Sequence, residues 1–164
     1  MVENEILNKS FCDKPDRIAS FSVDHDLITE GIYISRIDGD IITYDLRTRK
    51  PNSDDYIDDC TMHSVEHMLA TYLRNSEVRD NIIYFGPMGC RTGFYLLVRN
   101  LAPEKVLEEL KVALEKTISH KGEIFGATRK ECGNYKCLDL GSAKAECKRY
   151  LEILNNKDND FKYY

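Results

Sequence analysis

Two histidines and a glutamate stand in His63-Ser64-Val65-Glu66-His67, an H-x-x-E-H spacing in which every position suited to metal chemistry is filled. If residues 60–75 form a helix, His63 and His67 lie one turn apart on one face, with Cβ atoms roughly 5–6 Å from each other. Neutral imidazole nitrogens bind zinc at about 2.0–2.1 Å, so two of them can share one ion. Glu66 stands at the rim of that face, where a carboxylate left off the metal can take or give a proton. An ordinary solvated helix face is the plainer reading of the same residues. It is disfavoured because Val65, Met68, Leu69, Tyr72 and Leu73 supply a separate apolar stripe, leaving the histidines free of any packing duty.

A site of catalytic type needs a third protein ligand and an open position. Cys60, Cys90 and Cys132 are the candidates. Cys60 falls off the helix if Thr61 is its N-cap, so a loop cysteine is preferred, and spacing does not separate Cys90 from Cys132. Cys12 and Cys147 read as small buried hydrophobes. None of the six cysteines forms C-x-x-C, which disfavours a zinc ribbon or a thioredoxin-like redox pair, and all are expected to stay reduced.

The elements that must position these groups follow from patterning. Ile32–Ile37 and Asp40–Arg47 are rich in β-branched and aromatic residues and flank Asp38-Gly39, a favoured pair for the centre of a type I′ turn, which predicts a hairpin. An acidic loop then leads into the histidine helix, with Asp58, Asp59 or Thr61 as its cap. Ile82–Phe85 and Phe94–Val98 read as strands on either side of a glycine-rich loop. Pro103 opens a helix to His120, with Leu107, Leu110, Leu114 and Ile118 as its apolar stripe. A short strand or extended arm is expected over 20–25, and a last short strand over 123–126. A last helix over 142–155 should bury Cys147, Tyr150, Leu151 and Leu154. This order predicts an α+β two-layer sandwich, an antiparallel sheet packed with helices. Residues 1–18 read as an N-terminal extension and 19–164 as one catalytic domain.

The net charge of −5 and pI near 5.4 argue against nucleic acid as partner and favour a small substrate. The first residues lack the basic start and apolar run of a signal peptide, and no stretch is long enough to cross a bilayer. A cytoplasmic protein without membrane contact is expected.

Five motifs in order resemble the LuxS family of S-ribosylhomocysteine lyases: Ser20-Phe21-Ser22-Val23-Asp24-His25, Asp45-Leu46-Arg47, the His63–His67 motif, Gly86-Pro87-Met88-Gly89-Cys90-Arg91-Thr92-Gly93-Phe94-Tyr95, and Glu131-Cys132-Gly133-Asn134-Tyr135. The resemblance covers roughly residues 18–155. It implies the LuxS-type metalloenzyme fold, with His63, His67 and Cys132 holding iron(II), which zinc or cobalt can replace. It implies Glu66 and Cys90 as acid–base groups. Ser20, His25 and Arg47 would bind substrate across the interface of a homodimer. The reaction implied is a non-redox cleavage of the thioether of S-ribosyl-L-homocysteine, by carbonyl migration and β-elimination. Its products are homocysteine and 4,5-dihydroxy-2,3-pentanedione, precursor of an autoinducer in quorum sensing. Two departures stand out: the added residues before Ser20, and Leu138 where the family commonly has histidine. The main rival is an inverted-zincin metallopeptidase, which would recruit a distal glutamate as third ligand. A second is a closed metal-binding module, with Cys90 or Cys60 as a fourth ligand.

Overall fold

In a computed structural model, which describes residues 15–164, β1 (Gly31–Asp38) and β2 (Ile41–Arg47) pair antiparallel as the predicted hairpin. The turn differs from expectation in its centre. Gly39 and Asp40 are the two linking residues, and of these only Gly39 has positive φ (61°), the pattern of a II′ turn rather than I′. β3 (Ile82–Pro87) and β4 (Gly93–Arg99) complete a four-stranded antiparallel sheet in the order β1-β2-β4-β3.

Three α-helices pack with this sheet: α1 (Asp59–Arg74), α2 (Pro103–Ser119) and α3 (Leu140–Asn155). They pack on one another, α1 also on β3 and α3 also on β1, giving the predicted α+β sandwich. Strand side chains alternate between faces, and the alternation sorts the molecule into two sides. Ile32, Tyr44, Leu46, Phe94, Leu96 and Phe85 point into the core with Val65, Met68, Leu69, Leu110 and Tyr150. The intervening residues Tyr33, Asp45, Arg47 and Tyr95 point to the sheet's other face.

Helix α1 starts where the sequence predicts. Asp58 is the cap, and its carboxylate accepts from the Thr61 N–H (2.9 Å) and Thr61 Oγ1 (2.6 Å). These bonds from Thr61 hold the Asp58 carboxyl below its ordinary value. Helix α2 buries Val106, Leu110, Ala113, Leu114 and Thr117, while Leu107 and Ile118 are only partly covered. The apolar stripe is therefore rotated from the one predicted, because α2 packs on both α1 and α3. Leu151 of α3 is likewise only partly buried.

Two predicted strands are absent. Residues 19–21 form a 3-10 turn, and the Asp24 carboxylate accepts from the Asp26 N–H (3.0 Å), which bends the chain out of extended pairing. Residues 123–126 form no strand either, and Phe125 and Gly126 lie in a turn. Gly126 sits at φ 67°, and the Phe125 carbonyl is spent on His67 instead of on a ladder. Most of the predicted N-terminal extension lies outside the described residues.

The expectation that all cysteines are reduced is also overturned. Cys60 in the first turn of α1 and Cys137 in the 3-10 turn Tyr135–Cys137 are joined by a disulfide across 77 residues, with Cα atoms 5.1 Å apart. The fold brings the two turns within the usual span of a disulfide. Cys90, Cys132 and Cys147 are free.

Candidate metal centre and active site

His63 and His67 rise from α1 on one side, with ring centroids 4.6 Å apart, and the loop after residue 126 brings Cys132 to them. Cys132 Sγ lies 3.4 Å from His63 Nε2, and one ligand atom from each of His63, His67 and Cys132 falls within 4.8 Å of the others. The surroundings suit ligation. His67 Nδ1 is 2.7 Å from the Phe125 carbonyl, which fixes the proton on Nδ1 and leaves the Nε2 lone pair free. The loop can approach so closely because residue 126 is glycine: a Cβ there would lie 3.2 Å from His67 Nδ1 at a left-handed φ. Burial, and then the neighbouring His67, push His63 below the ordinary imidazole value, which favours its neutral, ligating form. The Asn134 N–H points at Cys132 Sγ at 3.4 Å, support for a sulfur carrying negative charge. Two imidazoles and one thiolate are a donor set that fits a divalent transition metal.

Glu66 extends beside this cluster, its carboxylate 3.9 Å from His67 Nε2. It lines an open pocket of about 290 Å³ with Asp59, Met62, His63, Tyr84 and Pro87. A second cavity, about 250 Å³, opens on the sheet face opposite the helices, where Ser20, His25, Asp45, Arg47, Cys90 and Tyr95 contribute to its wall. Within it Arg47 is buried and donates from Nη2 to Asp45 (2.5 Å) and from Nη1 to Thr92 Oγ1 (2.6 Å). The same Nη1 stands 3.9 Å from Cys90 Sγ, which also lies 3.0 Å from Thr92 Oγ1. Burial pushes the Asp45 carboxyl up, and Arg47 opposes it.

The family model for LuxS, S-ribosylhomocysteinase, matches residues 18–161. The chain belongs to the LuxS family. Its relatives in that family include the S-ribosylhomocysteine lyase of Borreliella burgdorferi, 46% identical over 154 residues that cover 90% of this chain and 98% of that protein. That of Finegoldia magna is 41% identical over 146 residues, 86% of this chain and 93% of its own length. The protein of the same name from Clostridium beijerinckii is 38% identical over 156 residues, 90% of this chain and 98% of its own. LuxS membership and the His63–His67–Cys132 cluster together support a divalent metal in this chain. No described helix is long and apolar enough to cross a membrane.

Against the LuxS expectations, the single chain gathers the predicted residues into two groups. His63, His67, Cys132 and Glu66 form one, and Ser20, His25, Arg47 and Cys90 form the other. Pro87 lines both pockets, but among the described residues no hydrogen bond or shared pocket links Glu66 to Cys90. Cys60 is bound to Cys137 and so leaves the ligand contest. Leu138 caps the 135–137 turn and packs on the core. Sequence reasoning missed Asp45, Tyr95 and Thr92. The first was legible, since Asp45 alternates with buried Tyr44 and Leu46 in β2; Thr92 carries no such signal. It also missed Tyr163, which reaches the second cavity from the C-terminus.

Proposed function

We propose that the chain is an S-ribosylhomocysteine lyase: it cleaves the thioether of S-ribosyl-L-homocysteine to homocysteine and 4,5-dihydroxy-2,3-pentanedione without net redox change. The observation that carries this reading is a two-imidazole, one-thiolate cluster with a carboxylate, Glu66, beside it and off it, opening on a pocket. His63, His67 and Cys132 would hold the metal, which is iron(II) with zinc or cobalt as substitutes. When bound, it supplies Lewis-acid polarisation of a substrate oxygen.

The remaining work falls to side chains. A C–H next to a carbonyl is the most acidic in the sugar chain, and Glu66 is placed to take that proton and return it to the former carbonyl carbon. Repetition moves the carbonyl along the sugar chain to C3. Loss of the C4 proton then expels the C5 thiolate by β-elimination, and the leaving sulfur takes up a proton. Cys90 is the second acid–base group, held between Arg47 and Thr92. Ser20, His25 and Arg47 hold the substrate. Residues 19–164 act as one catalytic domain.

The working unit in this reading is a homodimer, in which the cavity of one subunit meets the metal pocket of its partner, twice per dimer. Two facts support it: Glu66 and Cys90 line different pockets of one chain, and the Ser20–His25–Arg47 cavity lies on the sheet face away from the helices. Cys90 then enters the shared site together with Arg47, from the same subunit. A metallopeptidase is not favoured, because the third member of the cluster is a cysteine.

Incubating cobalt- or iron-loaded protein with S-ribosylhomocysteine tests the function. Thiol should accumulate to one equivalent per substrate consumed, with no added oxidant or reductant. A loaded, folded protein that releases no thiol would refute the assignment.

A further inference from the structure

The C-terminal tail wraps the edge of the sheet and reaches the substrate cavity. β1 is an edge strand, and Phe161 bridges to Tyr33 beside it, its carbonyl accepting from the Ile34 N–H (2.8 Å). Phe161 lies at φ 61°, a left-handed conformation that a bulky residue adopts only when its surroundings impose it. Its ring packs edge-on to Tyr44 on the core side. Two residues later the chain is on the opposite face. There Tyr163 stacks on Tyr33 with centroids 5.0 Å apart and an interplanar angle of 20°, and its hydroxyl donates to Asp45 Oδ2 at 3.1 Å. Tyr164 Oη accepts from the Asp24 N–H (3.0 Å), next to His25. The tail thus fastens the segment carrying His25 to the strand carrying Arg47. Tyr163 stands two residues beyond the stretch matched by the family model.

The bond from Tyr163 falls on a group that needs it. Asp45 and Arg47 are 1% and 3% exposed, and Asp45 Oδ1 and Arg47 Nε have no partner. A buried ion pair holds one geometry only when further hydrogen bonds organise it. Asp45 Oδ2 receives two, from Arg47 and from Tyr163. Burial, and then the charge of Asp45, push the Tyr163 phenol above its ordinary value, so it keeps the proton that it donates. Loss of that bond would free the carboxylate to turn, and Arg47 with it.

We infer that Tyr163 is a substrate-positioning residue, which fixes Arg47 in the substrate cavity through its hydrogen bond to Asp45. This rests on the lyase reading and on the role given there to Arg47. The test is steady-state kinetics of metal-loaded Tyr163→Phe on S-ribosylhomocysteine, beside thermal melting of the same sample. Phenylalanine keeps the stack on Tyr33 and removes only the hydroxyl. KM should rise about tenfold, the worth of one hydrogen bond to a charged partner, with kcat within about twofold and the melting curve unmoved. In an Asp45→Asn background the same change should add less than about twofold, because the two residues act as one unit. An unchanged KM in Tyr163→Phe, or a loss confined to stability, overturns the positioning role and leaves the lyase reading standing. A wild-type protein without thiol release overturns both.

Discussion

Glu66→Gln is expected to lower turnover by roughly two to four orders of magnitude while metal content stays at the wild-type level, the usual worth of a positioned acid or base. Glutamine keeps the shape of the side chain in the pocket with Met62, His63 and Tyr84, and removes the oxygen that titrates. Cys90→Ala should fall by a similar factor, since the role proposed for its thiol, in the cavity that also holds Arg47, is proton transfer. The two losses share a cause. Proton transfer is needed only along the reaction path, whereas the proposed ligands His63, His67 and Cys132 would be needed in every state. Stopped thiol release with full metal occupancy is the outcome that fits; retained activity in Glu66→Gln, or loss of metal with it, would give that carboxylate a different job.

Cys132→Ala should remove the metal centre itself. Cobalt-loaded protein is expected to show a near-ultraviolet thiolate-to-metal charge-transfer band, present in Cys90→Ala and absent in Cys132→Ala. The geometry behind this is the 3.4 Å approach of Cys132 Sγ to His63 Nε2, against Cys90's place on the far side of the sheet beside Arg47. A band that followed Cys90 would overturn the ligand assignment. Thermal midpoints of the two variants, read with and without metal, would tell loss of a ligand from loss of the fold.

Much of this site was legible in the sequence, for a physical reason. The H-x-x-E-H motif and its apolar stripe obey the same 3.6-residue period, so a single helix accounts for both, and its cap is Asp58, one of the three candidates that the pattern offered. The hairpin was legible from its β-branched runs, although the conformation of Gly39 alone moved the turn centre by one residue. What failed was set by distant contacts. Residues 20–25 and 123–126 carry strand-like patterns, yet their backbones answer to Tyr164 and His67, far away in sequence. Local spacing left Cys90 and Cys132 tied as ligands because the choice rests on a contact across 69 residues. Only the family resemblance broke the tie. The Cys60–Cys137 bond and Tyr163's place in the cavity are likewise products of chain return, invisible to any local period.

Subunit complementation tests most directly the claim that the active site joins the cavity of one chain to the metal pocket of another. Inactive Glu66→Gln chains mixed with inactive Cys90→Ala chains, after exchange, should recover about a quarter of wild-type activity, since half the dimers are mixed and each has one intact site. Glu66→Gln mixed with Arg47→Ala should do the same. Arg47→Ala mixed with Cys90→Ala should recover nothing, because both defects lie in the same half and each mixed site inherits one of them. Recovery in that last mixture, or silence in the first two despite proven exchange, would contradict a site divided in this way.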